Sequence, residues 1–546
     1  MTNLNINKKL FEKEIGVLDD KMKFNIIMLG VEIEDINSES ITLGITPNRP
    51  DLLSFHGLAR AIRTFIGKES GIKKYKVHRP EKNYIVKISP SVKDIRPYTA
   101  CAIIKNLSLN DEKIKEIIDL QEKLHSTIGR NRKKLAIGIY PLDKISLPIK
   151  YEARKPENIS FIPLEREKVM TGSEILRLHP TGKAYSHLLD KHEKYPIFID
   201  SKDKILSMPP IINSQETGKI SIDTKDVFIE CSGFNLSLLQ KTLNIIVTSL
   251  ADMGGSIHAI SLEYGKKIIT PDLAPEKMKI SLENTNKLLG LNLKEKDLEK
   301  LFPKMGYNFQ SGKVIIPPWR TDIMHEVDLI EDIAIAYGYD NFSPEIPSIS
   351  TIAEESYKSR LKSKFSEILI GLEFIETSSY HLIKEEEIKK FKTLDKIELE
   401  SSKTEYKFLR PSLLIPALRI SAENKDSEYP QKIFENGTIF KKDPEFDIGI
   451  SESDHLLISS SPGNATYMKQ ILDYMSKMLS LLFEIKESII EGFIEGRTYS
   501  IFLNNKTIGF FGEVHPETLR EWNIKMPLAV LEISLEEICD VLREKN

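Results

Sequence analysis

The spacing of apolar and polar residues divides the chain into segments that predict helices and segments that predict strands. Apolar residues recur every three or four positions within Leu52–Ile66, Tyr357–Gly371 and Tyr467–Leu482, a period that indicates amphipathic helices. Short apolar runs bounded by Gly, Pro or Asp are typical of strands. They include TACAIIKNLSL, KLAIGIY, YPIFID, ILSMPPIIN and KDVFIECSG. Because the two kinds of element are mixed along the chain, we predict an α+β fold with several domains.

The chain is too long for a single hydrophobic core, since 546 residues exceed what one core usually supports. We predict an N-terminal α/β domain over residues 1–95 and a mixed α+β domain over 96–265. The stretch Lys266–Glu276 contains two X-Pro pairs and is typical of a linker, so a small domain is expected over 266–345. The remainder, 346–546, combines long helices with strands and predicts an antiparallel sheet with flanking helices.

Charge limits how the protein could contact nucleic acid. The formal net charge is −3, so any such contact would depend on local basic patches. One basic run contains Arg63, Lys68, Lys73, Lys74, Lys76, Arg79, Lys82 and Lys87. The other is Arg130-Asn131-Arg132-Lys133-Lys134. Solvated loops would produce the same runs, and charge alone does not distinguish the two interpretations.

The composition favours a protein of a reducing compartment. Cys101, Cys231 and Cys539 are widely spaced, which excludes a disulfide framework and a CxxC metal knuckle. Charged residues interrupt every apolar window near the N-terminus, and no segment offers about 18 uncharged apolar residues in a row. We therefore expect a cytoplasmic protein without a membrane partner.

The most informative segment is PPWRTDIMHEVDLIEDIAIAYGYD, Pro317–Asp340. Asp328, Glu331 and Asp332 stand at i, i+3 and i+4 of a predicted helix, on the face opposite its apolar residues, and Asp322 precedes it, so four carboxylates are expected to lie together. Oxygen ligands of this kind suit Mg²⁺. A solvated acidic face at a helix start, favoured by the helix dipole, would give the same spacing, and spacing alone leaves both interpretations open. The predicted apolar face and helix end are Ile323, Val327, Ile330, Ala334, Tyr337 and Gly338.

This segment, with its letters W-R-x-D-I, D-L-I-E-D and Y-G-Y, resembles the B5 domain of phenylalanyl-tRNA synthetase β subunits. Other blocks of that family occur in the same order along nearly the whole chain. They are TPNRPDLLSFHGLARAI (46–62), LHSTIGRNRKKLAIGIYPLDKI (124–145), FENGTIF (434–440) and FIEGRTYSIFLNNKTIGFFGEVHPETL (493–519). The length is similar to that of the short, archaeal and eukaryotic type of β subunit.

The resemblance implies an architecture, a metal and a partner. It implies a B3/B4-like editing domain, a small helical, winged-helix-like B5 domain and a C-terminal module that is a degenerate class II synthetase fold. It also implies that Asp322, Asp328, Glu331 and Asp332 bind Mg²⁺ shared with an α subunit. In the family that α subunit uses ATP to attach phenylalanine to its tRNA, within an (αβ)₂ heterotetramer.

The resemblance further implies that this chain has no catalytic residue for aminoacylation. Class II synthetases aim arginines at the ATP phosphates, one in an F-R-x-E motif and one after a glycine-rich strand. Here Arg410 is followed by Pro411-Ser412, without the acidic residue, and Gly509-Phe510-Phe511-Gly512 is followed by Glu513-Val514-His515. We interpret Arg497 and His515 as packing or interface residues.

A second site, for proofreading, is implied by the B3/B4 resemblance. In the family this domain hydrolyses tyrosine wrongly attached to the phenylalanine tRNA, because a phenylalanine pocket cannot strongly exclude an added hydroxyl. The candidate residues are Phe198, Ser207, Glu230 and Ser232, with Glu230 as the acceptor for a tyrosine phenol and the two serines positioning ester or water. Cys231-Ser232 replaces the usual V-T pair. These could instead be ordinary strand residues, in which case the chain would be a non-catalytic assembly and RNA-binding subunit.

Overall fold

The computed structural model describes residues 2–347 and 351–545. The chain forms two compact units, Met1–Glu345 and Ile346–Asn546. Among the described residues, no helix combines the length and the apolar character needed to cross a membrane.

The first unit begins with a small antiparallel sheet covered by helices. Its strand order is β1-β3-β2. The alternating sequence of β3 buries Ile41, Leu43 and Ile45 on one side, as period-two alternation requires. The elements are β1 (Thr2–Asn7), α1 (Lys8–Glu14), α2 (Asp20–Met28), β2 (Glu32–Ile36), β3 (Ser40–Ile45) and α3 (Phe55–Phe65).

An eleven-stranded sheet forms the centre of the first unit. Its strands are β4 (Val77–His78), β5 (Ile85–Ile88), β6 (Tyr98–Lys105), β7 (Leu135–Pro141), β8 (Ile149–Arg154), β11 (Tyr195–Ile199), β12 (Ile205–Met208), β13 (Ile212–Asn213), β14 (Val227–Gly233), β15 (Ser256–Glu263) and β16 (Lys267–Thr270). The short pair β9 (Ser160–Phe161) and β10 (Met170–Thr171) lies outside it. The helices are α4 (Asp111–Ser126), α5 (Gly172–Leu178), α6 (Pro180–Tyr185) and α7 (Leu236–Asp252).

The central sheet extends beyond the range 96–265 that was expected for the second domain. Strands β4 and β5 precede residue 95, yet both pair with β15 in parallel. Strand β16, which follows residue 265, pairs with β15 in antiparallel fashion. The Pro-containing stretch after residue 266 therefore includes a strand of this sheet before the chain leaves it.

A third part of the first unit contains the acidic segment. It has a small sheet of order β17-β19-β18 and three helices. The elements are β17 (Glu276–Lys279), α8 (Leu282–Leu289), α9 (Glu295–Lys304), β18 (Asn308–Gln310), β19 (Lys313–Ile316) and α10 (Glu326–Tyr337). One continuous hydrophobic core includes residues from all three parts of the unit, so the parts fold against one another.

Helix α10 exists as the sequence predicts, and Ile323, Ile330 and Ala334 of the predicted apolar face are buried, but the buried side also includes residues that were not predicted. It ends at Gly338, whose φ of 94° suits glycine as the predicted helix end. The predicted apolar residue Val327 is 48% exposed, whereas Leu329 and Ile333 are buried and Asp332 is only 4% exposed. The prediction that the carboxylates occupy the side opposite the core is therefore wrong for Asp332.

The second unit is built on a seven-stranded sheet of order β20-β24-β25-β29-β28-β27-β26, in which β20 alone pairs in parallel. Its strands are β20 (Ile375–Glu376), β24 (Gln431–Lys442), β25 (Ile450–Ser461), β26 (Glu484–Glu487), β27 (Phe493–Leu503), β28 (Lys506–Val514) and β29 (Ala529–Ser534). A smaller sheet contains β21 (Leu382–Lys384), β22 (Ile397–Glu398) and β23 (Tyr406–Leu409). The helices are α11 (Tyr357–Gly371), α12 (Glu385–Ile388), α13 (Leu414–Glu423), α14 (Ala465–Leu479), α15 (Pro516–Glu521) and α16 (Leu535–Lys545).

Candidate functional site

A cavity of about 100 Å³ opens beside the central sheet of the first unit, with the carboxyl group of Glu230 in its wall. A single water needs only about 10–15 Å³ of such a volume, so the cavity accommodates several waters or a larger group. Polar side chains contributed by several elements line it together with Ile211. They are Gln121, Glu122, His125, Arg132, Asn213 and Glu230.

Strand pairing places Glu230 at this cavity. Strand β14 is buried along its whole length between β6 and β7, and Glu230 lies opposite Gly138 of β7. A Cβ atom on Gly138 would come within 2.1 Å of the Tyr140 hydroxyl and 2.7 Å of the Glu230 carboxylate oxygen Oε1. Glycine at position 138 therefore leaves the space in which these two side chains meet.

The two oxygens of the Glu230 carboxyl group have different environments. Oε1 lies 3.2 Å from the hydroxyl oxygen of Tyr140, which lies 2.8 Å from Ser207 Oγ. Oε2 is buried and has no hydrogen-bond partner among the described residues. Buried polar groups are nearly always hydrogen-bonded, so the unpartnered Oε2 of a residue that lines a cavity marks a position for a ligand donor or a water.

Burial controls the protonation state of Glu230. Glu230 is 1% exposed, and removal from water raises the pKa of its carboxyl group to about 8, although the positive charge of Arg96 acts in the opposite direction. At neutral pH the group is therefore mainly a neutral carboxylic acid. In that form it can both donate and accept a hydrogen bond.

The structure joins two of the four predicted editing residues through hydrogen bonds and places a third on the same side of the same strand. Ser207 is joined to Glu230 through Tyr140. Ser232 lies two residues beyond Glu230 on the same side of β14, and Arg96 Nε donates to its Oγ at 3.3 Å. Phe198 is different, because it is fully buried and stacks on Tyr151 with ring centroids 4.4 Å apart. Phe198 pairs with Ser207 across β11 and β12 and does not line the cavity.

Sequence analysis missed Tyr140, His125 and Arg132 as parts of this region. The backbone N–H of Ile137 donates to His125 Nε2 at 2.8 Å, and His125 Nδ1 lies 3.2 Å from a Glu122 carboxylate oxygen. Burial lowers the pKa of His125, so the ring is neutral and both nitrogens are already engaged. His125 therefore positions β7 and is unsuited to be a general base. The sequence signal that could have identified Tyr140 is its position two residues after Gly138 in β7, which places both residues on the same side of the strand.

Two of the four predicted metal ligands are held by an arginine. Arg320 Nη2 donates to Asp322 and to Asp332, at 2.7 Å in each case, and the Tyr307 hydroxyl also donates to Asp332. Burial would raise the pKa of Asp322, but the charge and hydrogen bonds of Arg320 lower it below its ordinary value. The buried guanidinium thus supplies the cation that these two carboxylates require.

The other two predicted ligands face outwards. Asp328 accepts hydrogen bonds from the backbone N–H groups of Met324 and His325, both at 2.7 Å, and so caps α10. Glu331 is exposed. Over residues 2–347 and 351–545, no group of three or more His, Cys, Asp or Glu side chains is placed to hold a metal ion. As arranged in this chain alone, the four carboxylates do not fit a magnesium ion.

A larger cavity, of about 530 Å³, lies in the second unit. Four carboxylates contribute to its wall, from Glu491, Glu532, Glu536 and Glu537. Each has partners: for example, Glu491 accepts from Thr393, and Glu537 pairs with Lys506. Glu532 accepts hydrogen bonds from Ser412 Oγ at 2.5 Å and from His455 Nδ1 at 3.0 Å.

The arginines considered for ATP binding in this unit are engaged elsewhere. Arg410 is buried, and its Nη1 donates to Glu435 Oε1 at 2.7 Å, so an acidic partner comes from β24 instead of the adjacent sequence. Arg497 pairs with Glu513 at 2.6 Å on the surface. His515 caps α15 by accepting from the Glu517 backbone N–H at 3.2 Å.

Three family models match the chain. Residues 84–247 match the B3/4 domain, residues 278–339 match the tRNA synthetase B5 domain, and residues 343–535 match the phenylalanyl tRNA synthetase beta chain CLM domain. The chain is 36% identical to the phenylalanine–tRNA ligase beta subunit of Archaeoglobus fulgidus, with 97% of each chain covered. It is 35% identical to that of Methanococcus aeolicus, with 98% of this chain and 100% of the relative covered.

A solved structure is similar to the first unit. It is an N-terminal fragment of the phenylalanyl-tRNA synthetase beta subunit from Pyrococcus horikoshii, with 37% identity and a TM-score of 0.58. The match covers 62% of this chain and 99% of the fragment.

Proposed function

Since the chain belongs to the family of phenylalanine–tRNA ligase β subunits, we propose that it assembles with a catalytic α subunit and hydrolyses tyrosine wrongly esterified to the phenylalanine tRNA. The observation that carries the editing proposal is the buried, unpartnered Oε2 of Glu230 at the cavity wall. The second candidate function is assembly and RNA binding without editing, and the connected Ser207–Tyr140–Glu230 group favours the first.

The chemistry of recognition follows from the two oxygens of Glu230. A tyrosine phenol entering the cavity would donate to Oε2 while Tyr140 keeps Oε1 in place. Phenylalanine lacks that hydroxyl and would leave Oε2 buried without a partner, which costs about 1–3 kcal/mol. The site therefore favours the tyrosyl ester, which is the discrimination that proofreading requires. Ser207 and Ser232 have positioning roles in this proposal, through Tyr140 and Arg96.

Replacement of Glu230 tests the editing proposal. Glu230→Ala in the assembled enzyme should slow hydrolysis of Tyr-tRNA about 10–100-fold, the loss of one to two hydrogen-bond equivalents. Deacylation of tRNA charged with radiolabelled tyrosine measures this. Glu193→Ala is the matched control, because it removes the same side chain at an exposed position of the same unit that does not line the cavity, and it should leave hydrolysis unchanged.

Charging with phenylalanine should be unchanged in both variants. Unchanged Tyr-tRNA hydrolysis in Glu230→Ala would show that Glu230 is not part of the site. If the parent enzyme does not hydrolyse Tyr-tRNA, the editing proposal fails and the assembly and RNA-binding function is the one supported.

For the second unit we propose a degenerate class II synthetase module that does not bind ATP. Its cavity is walled by four carboxylates against Lys441 and His455, so the local potential opposes triphosphate binding. Arg410 is held by Glu435 and is not available to phosphates. ATP use and aminoacyl transfer are accordingly assigned to the α subunit of an (αβ)₂ heterotetramer.

The outer face of the B5 domain is our proposed contact for α. This domain combines three helices with the β18–β19 hairpin, an arrangement that supports the winged-helix interpretation. Met324 and Val327 are exposed apolar residues beside exposed Glu331, and mixed apolar and charged surfaces of this kind suit a protein interface. We retain a magnesium site of Asp322, Asp328, Glu331 and Asp332 as a proposal for the assembled enzyme only.

That metal site requires Arg320 to release Asp322 and Asp332, and oxygens from α to complete it. Removal of Mg²⁺ with EDTA should then dissociate αβ particles, as measured by light scattering after chromatography. Glu331→Gln should raise the magnesium concentration needed for assembly, whereas Glu299→Gln, a neutralised carboxylate on α9, should not. Assembly that is indifferent to EDTA and to Glu331→Gln would refute the shared metal.

A further inference from the structure

The loop that follows α4 has an unusual backbone at the mouth of the editing cavity. Arg130, Asn131 and Arg132 have φ values of 46°, 53° and 64°, so three consecutive residues other than glycine are left-handed. Each such residue costs roughly 1–2 kcal/mol, least for Asn. A strained conformation of this kind persists only where the surrounding structure enforces it.

The anchor of the loop is Arg132. Its Nη1 donates to the backbone oxygens of Pro210 and Ile211, at 3.3 and 2.9 Å, and its Nη2 donates to Glu122 at 3.0 Å. The guanidinium also lies over the ring of Tyr185, 4.7 Å from its centroid. Arg132 therefore ties the loop directly to the wall of the cavity.

With the backbone fixed by Arg132, three other cationic side chains are presented to solvent. Arg130, Lys133 and Lys134 are exposed, and none of them forms an ion pair with a carboxylate among the described residues. Glu122, which lines the cavity, is occupied by Arg132 and His125. The cluster thus has uncompensated positive charge beside the cavity opening.

The distance from the cavity to this cluster fits an RNA-linked ligand. Gly138, which pairs with Glu230, lies three residues along β7 from Leu135, about 10 Å at 3.3 Å per residue. The loop ends at Lys134, directly before Leu135. At this separation the first phosphate of an RNA whose aminoacyl group is seated at Glu230 is within reach of Lys134 and its neighbours.

We propose that Arg130, Lys133 and Lys134 bind the backbone phosphates of the single-stranded 3′ end of tRNA and guide its aminoacyl ester into the cavity. This inference rests on the proposed editing function for its biological purpose. The binding itself depends on charge and can be measured without hydrolysis.

The test uses the full chain in complex with α and a variant, Arg130→Gln/Lys133→Gln/Lys134→Gln, that removes three charges while keeping unbranched side chains. The probe is a fluorescent single-stranded RNA ending in CCA, followed by anisotropy across a salt series. Affinity at about 0.1 M salt should fall tenfold or more, and the slope of log K against log salt should decrease by about 2, or 0.7 for each lost phosphate contact.

A matched control neutralises three exposed lysines elsewhere in the unit, Lys9→Gln/Lys21→Gln/Lys267→Gln, and should retain the parent affinity and slope. The phosphate-free ester 2′(3′)-O-tyrosyl-adenosine should be hydrolysed equally by the loop variant and the parent. Unchanged RNA affinity in the loop variant, or an equal loss in the control, would overturn the proposal. If the parent binds the RNA but does not hydrolyse the tyrosyl ester, the result would instead count against the editing function alone.

Discussion

The cavity beside Glu230 in the first unit and the cavity beside Glu532 in the second unit differ in how their carboxyl groups are engaged. The cavity of the first unit is small, about 100 Å³, and contains one buried carboxyl group with an oxygen that has no partner. The cavity of the second unit is about five times larger, at 530 Å³ against 100 Å³, and each of its four carboxylates is hydrogen-bonded or ion-paired within the chain.

Volume alone would select the larger cavity as a binding site, whereas the unsatisfied buried oxygen selects the smaller one. A site recognises a ligand through polar groups that are buried and still unsatisfied, because these gain most when a ligand arrives. Glu230 meets that condition and Glu532 does not. The larger cavity is accordingly interpreted as part of a structural module, and the smaller one as the site of recognition.

The largest effect is expected in an activity measurement on the chain without α, which tests the roles assigned to the two cavities. We expect no phenylalanine-dependent ATP–pyrophosphate exchange by the isolated chain, because the cavity of the second unit is acidic and its Arg410 is held by Glu435. Adding α should produce exchange. Clear exchange by the chain alone would assign catalysis to the second unit and reverse the roles given to the two cavities.

Replacing the carboxyl groups of Glu532 and Glu230 by amides should change the free energy of unfolding in different ways. Glu532→Gln should lower the free energy of unfolding of the second unit by about 1.5–3 kcal/mol, because Ser412 and His455 lose a charged acceptor. The two tryptophans allow each unit to be followed separately, since Trp319 lies in the first unit and Trp522 in the second. Urea unfolding in a Trp319→Phe background would report the second unit, and no loss of stability there would contradict the assigned contacts.

The carboxyl group of Glu230 should contribute to stability with a pH dependence opposite in sign to that of Glu532. Burial raises the pKa of Glu230 from 4.5 to about 8, so the folded chain holds a proton that the unfolded chain has lost. Its contribution to stability is complete below pH 4.5 and falls as pH rises towards about 8, at a slope of up to ~1.4 kcal/mol per pH unit. Glu230→Gln should remove this fall.

For Glu532 the hydrogen bonds of His455 and Ser412 overcome burial and lower the pKa of the carboxylate, so its contribution is present above pH 4.5 and is lost as pH falls through the lower, folded pKa. Unfolding in a Trp522→Phe background from pH 5 to 9 measures the first unit. The same pH slope in Glu230→Gln and in the parent would show that Glu230 is not the titrating group.

Local patterns predicted elements better than they predicted which faces are buried. Helix α10 and its end at Gly338 could be identified from short-range spacing. The full buried face of this helix could not be identified from spacing. Asp332 is buried only through pairing with Arg320, twelve residues earlier, and with Tyr307, twenty-five residues earlier. A hydrophobic pattern places an aspartate outside unless its partner is known.

The editing region shows the same limit. Glu230 could be selected from the sequence by resemblance, but Tyr140 is ninety residues away and is brought to it by the pairing of β14 with β7. Phe198, selected with Glu230, packs on Tyr151 and does not line the cavity. Strand register decides which of these residues meet, and register is set by long-range pairing that single-sequence patterns do not contain.

The position of β4 and β5 in the central sheet has a practical consequence for fragments of this protein. A recombinant piece that started at residue 96 would lack the two strands that pair in parallel with β15. The edge of β15 that they cover would then offer free backbone donors and acceptors to other chains, a common origin of aggregation. Soluble expression of the editing region by itself requires a start point upstream of Val77.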